Sequence, residues 1–110
     1  METNVIELKR LDLLEIEGRV DSNTASALHE VLNERIDQGT SNILVDLSNV
    51  SYMSSAGLRE LVTALKRVRK NGGDLRLCAP SERVTDVIEL AGLNSLFEIF
   101  DDRTMAVGSF

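Results

Sequence analysis

The stretch Ile43 to Lys70, ILVDLSNVSYMSSAGLRELVTALKRVRK, does most to restrict what this chain can become. It opens on an apolar run, Ile43-Leu44-Val45, that ends at Asp46. A short polar connection, Leu47 to Met53, follows, and then Ser54-Ser55-Ala56-Gly57. Directly after it, Leu58, Leu61, Val62, Leu65 and Val68 recur at the spacing of one helical face. A buried strand, Ile43 to Leu47, therefore leads through a loop into an amphipathic helix, and two serines stand where that helix begins. Such a junction presents a hydroxyl at the surface.

The flanking sequence supplies a scaffold for that junction. Val5 to Leu8 and Leu11 to Val20 read as two strands joined by a tight turn at Lys9-Arg10, with Gly18 marking a bulge or a close backbone approach. Asp21-Ser22-Asn23 is a helix-start cluster with Asp21 or Ser22 as the N-cap. The helix that follows turns Ala25, Leu28, Val31, Leu32 and Ile36 inward and stops at Gly39. The second helix ends near Asn71, where Lys66, Arg67, Arg69 and Lys70 suit the negative end of its dipole. Leu75, Leu77 and Cys78 form the next strand. Pro80-Ser81-Glu82 opens a third helix with Val84, Val87, Ile88 and Ala91 inward and Gly92 at its end. Phe97 to Phe100 reads as a last strand, and Arg103 to Val107 as a short terminal helix.

The order is β-β-α-β-α-β-α-β-α: an α/β fold with a mixed sheet of about five strands and helices packed against it. Single helices between strands imply parallel pairing through crossovers, and only the opening hairpin has to be antiparallel. The third strand is expected at the centre. At 110 residues the chain is read as a single domain, residues 1–110.

Few kinds of chemistry fit. A net charge of −6 disfavours nucleic acid or an anionic membrane as partner, since both reward a basic face. The one histidine, His29, sits within a helix pattern, and with one cysteine, Cys78, it cannot assemble a His/Cys metal site. Neither a Gly-x-Ser-x-Gly elbow nor a Walker-type loop surrounds the serines. The expectation is a protein that is not an enzyme and needs no cofactor or metal. Cys78 reads as a small core residue of a reducing compartment. No signal pattern or membrane-length apolar run stands out, so the expectation is a cytoplasmic monomer. Asp21 and Asp46 are the notable carboxylates, each placed at the carboxyl end of a strand, where α/β proteins usually put function. A helix cap for Asp21 and a loop hydrogen bond for Asp46 are the plainer alternatives.

The run Asp46-Leu-Ser-Asn-Val-Ser-Tyr-Met-Ser-Ser-Ala-Gly-Leu58 resembles the STAS domain of bacterial anti-sigma factor antagonists, in which an aromatic-Met pair precedes Asp-Ser-Ser/Thr-Gly-Leu. Three further segments match that family in order: Glu17-Gly18-Arg19-Val20-Asp21, Asn71-Gly72-Gly73-Asp74-Leu75, and Leu90-Ala91-Gly92-Leu93 with Leu96-Phe97. The resemblance spans nearly the whole chain. It implies the STAS fold and a partner switch. An anti-sigma factor that is also a serine kinase binds the unphosphorylated antagonist and gives up its sigma factor. Phosphorylation ends the binding, and a PP2C-type phosphatase restores it. Residue by residue, the phosphoacceptor matches Ser55, and Ser54 is the alternative. The implied binding surface is Asp21, Asp46, Met53, Ser54, Ser55, Ala56, Gly57 and Leu58, extended along Arg59, Glu60 and Thr63. Tyr52 and Met53 supply either apolar contact or a plug into the core. The chain departs from the family pattern at Ser54, where the family has Asp, and at Ala56. A phosphorylation-independent scaffold or adaptor subunit of a signalling or transport complex is the second reading.

Overall fold

The structure, a computed structural model, describes residues 1–110. The elements run β1 (Glu2–Glu7), β2 (Asp12–Val20), α1 (Ala25–Asp37), β3 (Asn42–Met53), α2 (Ser55–Lys70), β4 (Asp74–Cys78), α3 (Glu82–Leu90), β5 (Ile99–Phe100) and α4 (Arg103–Gly108). The sheet order is β1-β2-β3-β4-β5, with β3 at the centre. β1 and β2 are antiparallel, and every other pair is parallel. The hairpin between β1 and β2 closes with the Leu8 N–H donating to the Leu11 carbonyl at 2.9 Å.

Alternation along the strands divides the apolar residues between two faces. Leu14, Ile16, Ile43, Val45, Leu75 and Leu77 face the main core with Leu28, Leu32 and Ile36 of α1, Leu58, Leu61, Leu65 and Val68 of α2, and Val84 and Ile88 of α3. The stripe that identifies α2 in the sequence is thus the stripe it buries. Opposite lies a smaller cluster, Leu11, Leu13, Leu44, Cys78 and Ala106, covered by α4. Burial, reinforced by the nearby Asp46 charge, pushes the Cys78 thiol up to about 12. It stays protonated at neutral pH.

The largest departure from the sequence reading is β3. The supposed loop from Leu47 to Met53 is strand, paired with β2 as far as Val20↔Met53. Two register shifts, between Glu15 and Glu17 and between Gly18 and Arg19, each give β3 one residue more than its partner. These bulges replace strict alternation by three-residue steps, so Leu47, Val50 and Met53 all reach the same core. Gly18, at the second bulge, has φ +96°, a conformation that L side chains rarely adopt.

Smaller corrections concern the ends of elements. β1 occupies Glu2–Glu7, so Leu8 belongs to the turn. α1 starts at Ala25 with Thr24 as its N-cap residue, and Asp21–Thr24 form a preceding turn. β5 is only Ile99–Phe100; Phe97 lies buried in the turn before it. Ala91, expected inward, is the exposed C-cap residue of α3, one position past the helix.

Candidate functional site

β2 and β3 end side by side, and the Ser54 N–H donates to the Val20 carbonyl at 2.8 Å. This single bond joins the turn that carries Asp21 to the start of α2. Ser54 is in extended conformation, and its Oγ accepts from the Gly57 N–H at 3.3 Å, so it is the N-cap. Ser55 is the first helical residue, and it is exposed. Its hydroxyl has no hydrogen-bond partner within the protein. Of the two serines, Ser54 closes the helix and Ser55 is left over.

Gly57 explains how α2 comes so near the strand ends. A Cβ there would lie 2.6 Å from Val20 Cγ1 and 2.7 Å from Met53 Sδ. Met53 and Leu58 are 1% and 2% exposed, so neither offers a surface for a partner. They fix the base on which Ser54 and Ser55 stand. For Met53 the plug is what the structure shows.

Asp21 does sit beside the serines. Its Oδ1 accepts from the Asn23 and Thr24 N–H groups at 2.9 and 3.2 Å, and its own N–H donates to Thr24 Oγ1 at 2.9 Å. It therefore caps a turn ahead of α1 rather than α1 itself. Arg19 Nε is 3.8 Å from Asp21 Oδ2, and the Arg19 guanidinium lies 4.4 Å from the centre of the Tyr52 ring. That stack joins the ends of β2 and β3 on the surface, with Tyr52 half-buried. Nothing in the sequence pairs Arg19 with Tyr52; the bulged register puts them opposite each other.

Asp46 is elsewhere. It lies within β3, seven residues before Met53, or about 20 Å along an extended chain. It is 4% exposed, on the face covered by α4. Oδ1 accepts from the Ser48 N–H at 2.9 Å; Oδ2 accepts from Arg103 Nε and Nη2 at 2.8 and 2.6 Å. Arg103 Nη2 also donates to Glu15, whose other oxygen accepts from Asn4 Nδ2 at 2.9 Å. Burial alone would raise the Asp46 carboxyl, but the Ser48 hydrogen bonds and the Arg103 guanidinium override it and hold the group below the usual carboxylate range. Asp46 is thus a latch for α4, not a surface acid near Ser55. The sequence reading misplaced it because β3 runs on past it. Its partner Arg103, 57 residues away, carries no local signal.

His29 pairs across to α2, with Nδ1 2.8 Å from Glu60 Oε1 and half its side chain exposed. No three His, Cys, Asp or Glu side chains converge as a metal site would require. No helix is long and apolar enough to cross a membrane.

A five-stranded sheet with an exposed serine opening the second helix defines a class, and comparison with known proteins identifies it. The STAS domain family model matches residues 3–106, and the chain belongs to that family. It is 34% identical over 95 residues to BtrV of Bordetella bronchiseptica, covering 86% of this chain and 82% of that one. It is 36% identical over 86 residues to the anti-sigma-B factor antagonist of Staphylococcus aureus, covering 78% of this chain and 80% of that protein. Among solved structures, the unphosphorylated anti-sigma factor antagonist SpoIIAA superposes with a TM-score of 0.84 at 18% identity, over 96% of this chain and 93% of that one. The phosphorylated form of SpoIIAA from Bacillus superposes at 0.78 and 17% identity, over 98% of both chains. At that identity the likeness is one of fold.

Proposed function

We propose that this chain is an anti-sigma factor antagonist that binds an anti-sigma factor with serine-kinase activity and is switched off by phosphorylation of Ser55. Family membership and the name of the Staphylococcus aureus relative support the antagonist role. The observation that carries the choice of residue is the contrast between the two serines: the Ser54 hydroxyl caps α2, whereas Ser55 is exposed and unbonded. In the transfer, a bond forms between Ser55 Oγ and the γ-phosphorus of ATP, the bond to the ADP oxygen breaks, and the hydroxyl proton passes to a base on the kinase. A PP2C-type phosphatase reverses the state by hydrolysis.

The binding surface in this reading is Asp21, Ser54, Ser55, Ala56 and Arg59, with Tyr52 at its edge; Met53, Gly57 and Leu58 support it from beneath. Phosphate brings about −1.5 to −2 charge into that surface. Asp21 is already there, so a partner surface that accepts one carboxylate meets a second and larger anion, and docking fails by repulsion and lost desolvation. The fold itself need not change.

The test combines mass spectrometry with a pull-down. After incubation with the cognate anti-sigma kinase and ATP, intact-mass and peptide mapping should find one phosphate on Ser55. Ser55→Asp should lose the kinase in the pull-down, while Ser55→Ala keeps it. No phosphate, with binding indifferent to Ser55, would replace this reading by the phosphorylation-independent scaffold.

A further inference from the structure

Arg59 stands one helical turn after Ser55, and both side chains are exposed on α2. Residues at that spacing are neighbours, with Cβ atoms about 5–6 Å apart. The positions one turn to either side of Arg59 on its own helix are Ser55, Ala56, Val62 and Thr63, none of them acidic. The adjacent carboxylate, Glu60, is taken by His29 at 2.8 Å. Arg59 makes no ion pair, as is also true of Arg10 and Arg83, whereas Arg19, Arg35, Arg67, Arg69, Arg76 and Arg103 do. What sets Arg59 apart from Arg10 and Arg83 is its place on α2, one turn from Ser55.

We infer that Arg59 is the internal counter-charge for a phosphate on Ser55, so that phosphorylation removes Arg59 from the partner surface as well as adding charge to it. The inference rests on Ser55 as the phosphoacceptor and adds a second consequence of its modification. Asp21, held by the Asn23 and Thr24 amides, follows Val20, whose carbonyl accepts from the Ser54 N–H. Asp21 repels such a phosphate and Arg59 attracts it. Guanidinium suits this task, because it offers two parallel N–H groups to two phosphate oxygens. The other charged groups at this end of the sheet include Arg19, already beside Asp21, Glu82 and Arg83 at the start of α3, Asp101 and Asp102 after β5, and Glu2 and Glu17 with the Met1 amino group at the β1–β2 edge.

The test places phosphoserine at position 55 of the full chain by genetic incorporation, so that no kinase is needed. The second ionisation of the phosphate, ordinarily near pH 6, is followed by phosphorus NMR in the otherwise wild-type chain, in Arg59→Lys and in Arg59→Ala. The expected order of the apparent pKa is wild type lowest, Lys between, and Ala highest by about 0.5. The Arg59 Nε–H signal should also shift as the phosphate titrates in the otherwise wild-type chain. Equal titration in all three chains, with an unmoved Arg59 signal, would overturn the inference and leave Ser55 as the acceptor. Failure of the kinase to modify Ser55 would sink the proposed switch instead, and the titration would still stand.

Discussion

Replacing Arg103 by Ala asks what Asp46 is for. In the native structure the Asp46 side chain is 5% exposed and that of Arg103 is 41% exposed. Removing one member of a fully buried ion pair costs about 3–5 kcal/mol, because the other charge is stranded. Here the arginine is substantially open to water, and solvent entering its place re-solvates part of the carboxylate, which lowers the expected loss to about 2 kcal/mol. The pH dependence is more telling than the size. With Arg103 present, the folded Asp46 carboxyl lies below its ordinary value, so its contribution is present above the unfolded pKa, about 3.9, and disappears as the pH falls through the folded value. Without Arg103, burial and the Ser48 hydrogen bonds remain, and the folded carboxyl moves up. The variant then gains relative to wild type on acidification from pH 7 to pH 4.5, as protonation relieves the stranded charge. Urea unfolding of both proteins at the two pH values measures this directly. A difference below about 0.5 kcal/mol that does not change with pH would refute the latch and return Asp46 to the list of surface groups that await a partner.

Gly57→Ala forces a Cβ to within 2.7 Å of Met53 Sδ and still nearer Val20, so it should destabilise by about 1–2 kcal/mol despite the better helix propensity of Ala. Gly108→Ala, with nothing within 4 Å, should leave the melting temperature unchanged or higher. Ser54→Ala should cost about 1 kcal/mol in chemical denaturation as the cap is lost, whereas Ser55→Ala should be nearly neutral; equal losses would blur the division between cap and acceptor. Cys78 should resist alkylation at pH 8 in the native protein and react at once in urea, because its thiol is buried and pushed up to about 12. Rapid native labelling would show that α4 opens readily.

The sequence shows most clearly the elements that are periodic and bounded by side-chain signals. Leu58, Leu61, Leu65 and Val68 mark α2, Ser81 marks the start of α3, where its Oγ accepts from the Val84 N–H at 3.2 Å, and Asp102 does the same for α4 toward Met105 at 2.8 Å. The central place of β3 follows from its apolar run and the crossovers on either side. Legibility fails where one residue too many enters a strand. Ser48, Asn49 and Ser51 look like loop because two bulges break the period of two, yet the strand continues through them: Asn49 pairs with Glu17, and Ser48 and Ser51 fall at the bulges. The misplacement of Asp46 is a consequence of that one error. The Arg19–Tyr52 stack and the Arg103 latch were invisible for another reason: each depends on register across strands or on a helix that arrives from the far end of the chain.

The Tyr52-to-Leu58 motif therefore serves two purposes that a linear reading merges. Met53, Gly57 and Leu58 are fixed by packing: each faces inward, and the space at Gly57 is set by Val20 and Met53. Ser55 and Arg59 are fixed by neither packing nor hydrogen bonding, and Ser54 holds the turn between the two sets. A substitution in the first set should act through stability and reduce binding only as the folded fraction falls. One in the second should change partner affinity while the denaturation midpoint stays in place. The family's Asp before the acceptor is Ser54 here, and the cap bond to Gly57 shows that this position still performs its local task without a charge. What the replacement removes is a carboxylate next to Ser55. The acidic neighbour that remains is Asp21, reached through the bond from the Ser54 N–H to the Val20 carbonyl, and in the proposed switch the electrostatic contrast between the two states of Ser55 depends on it and on Arg59.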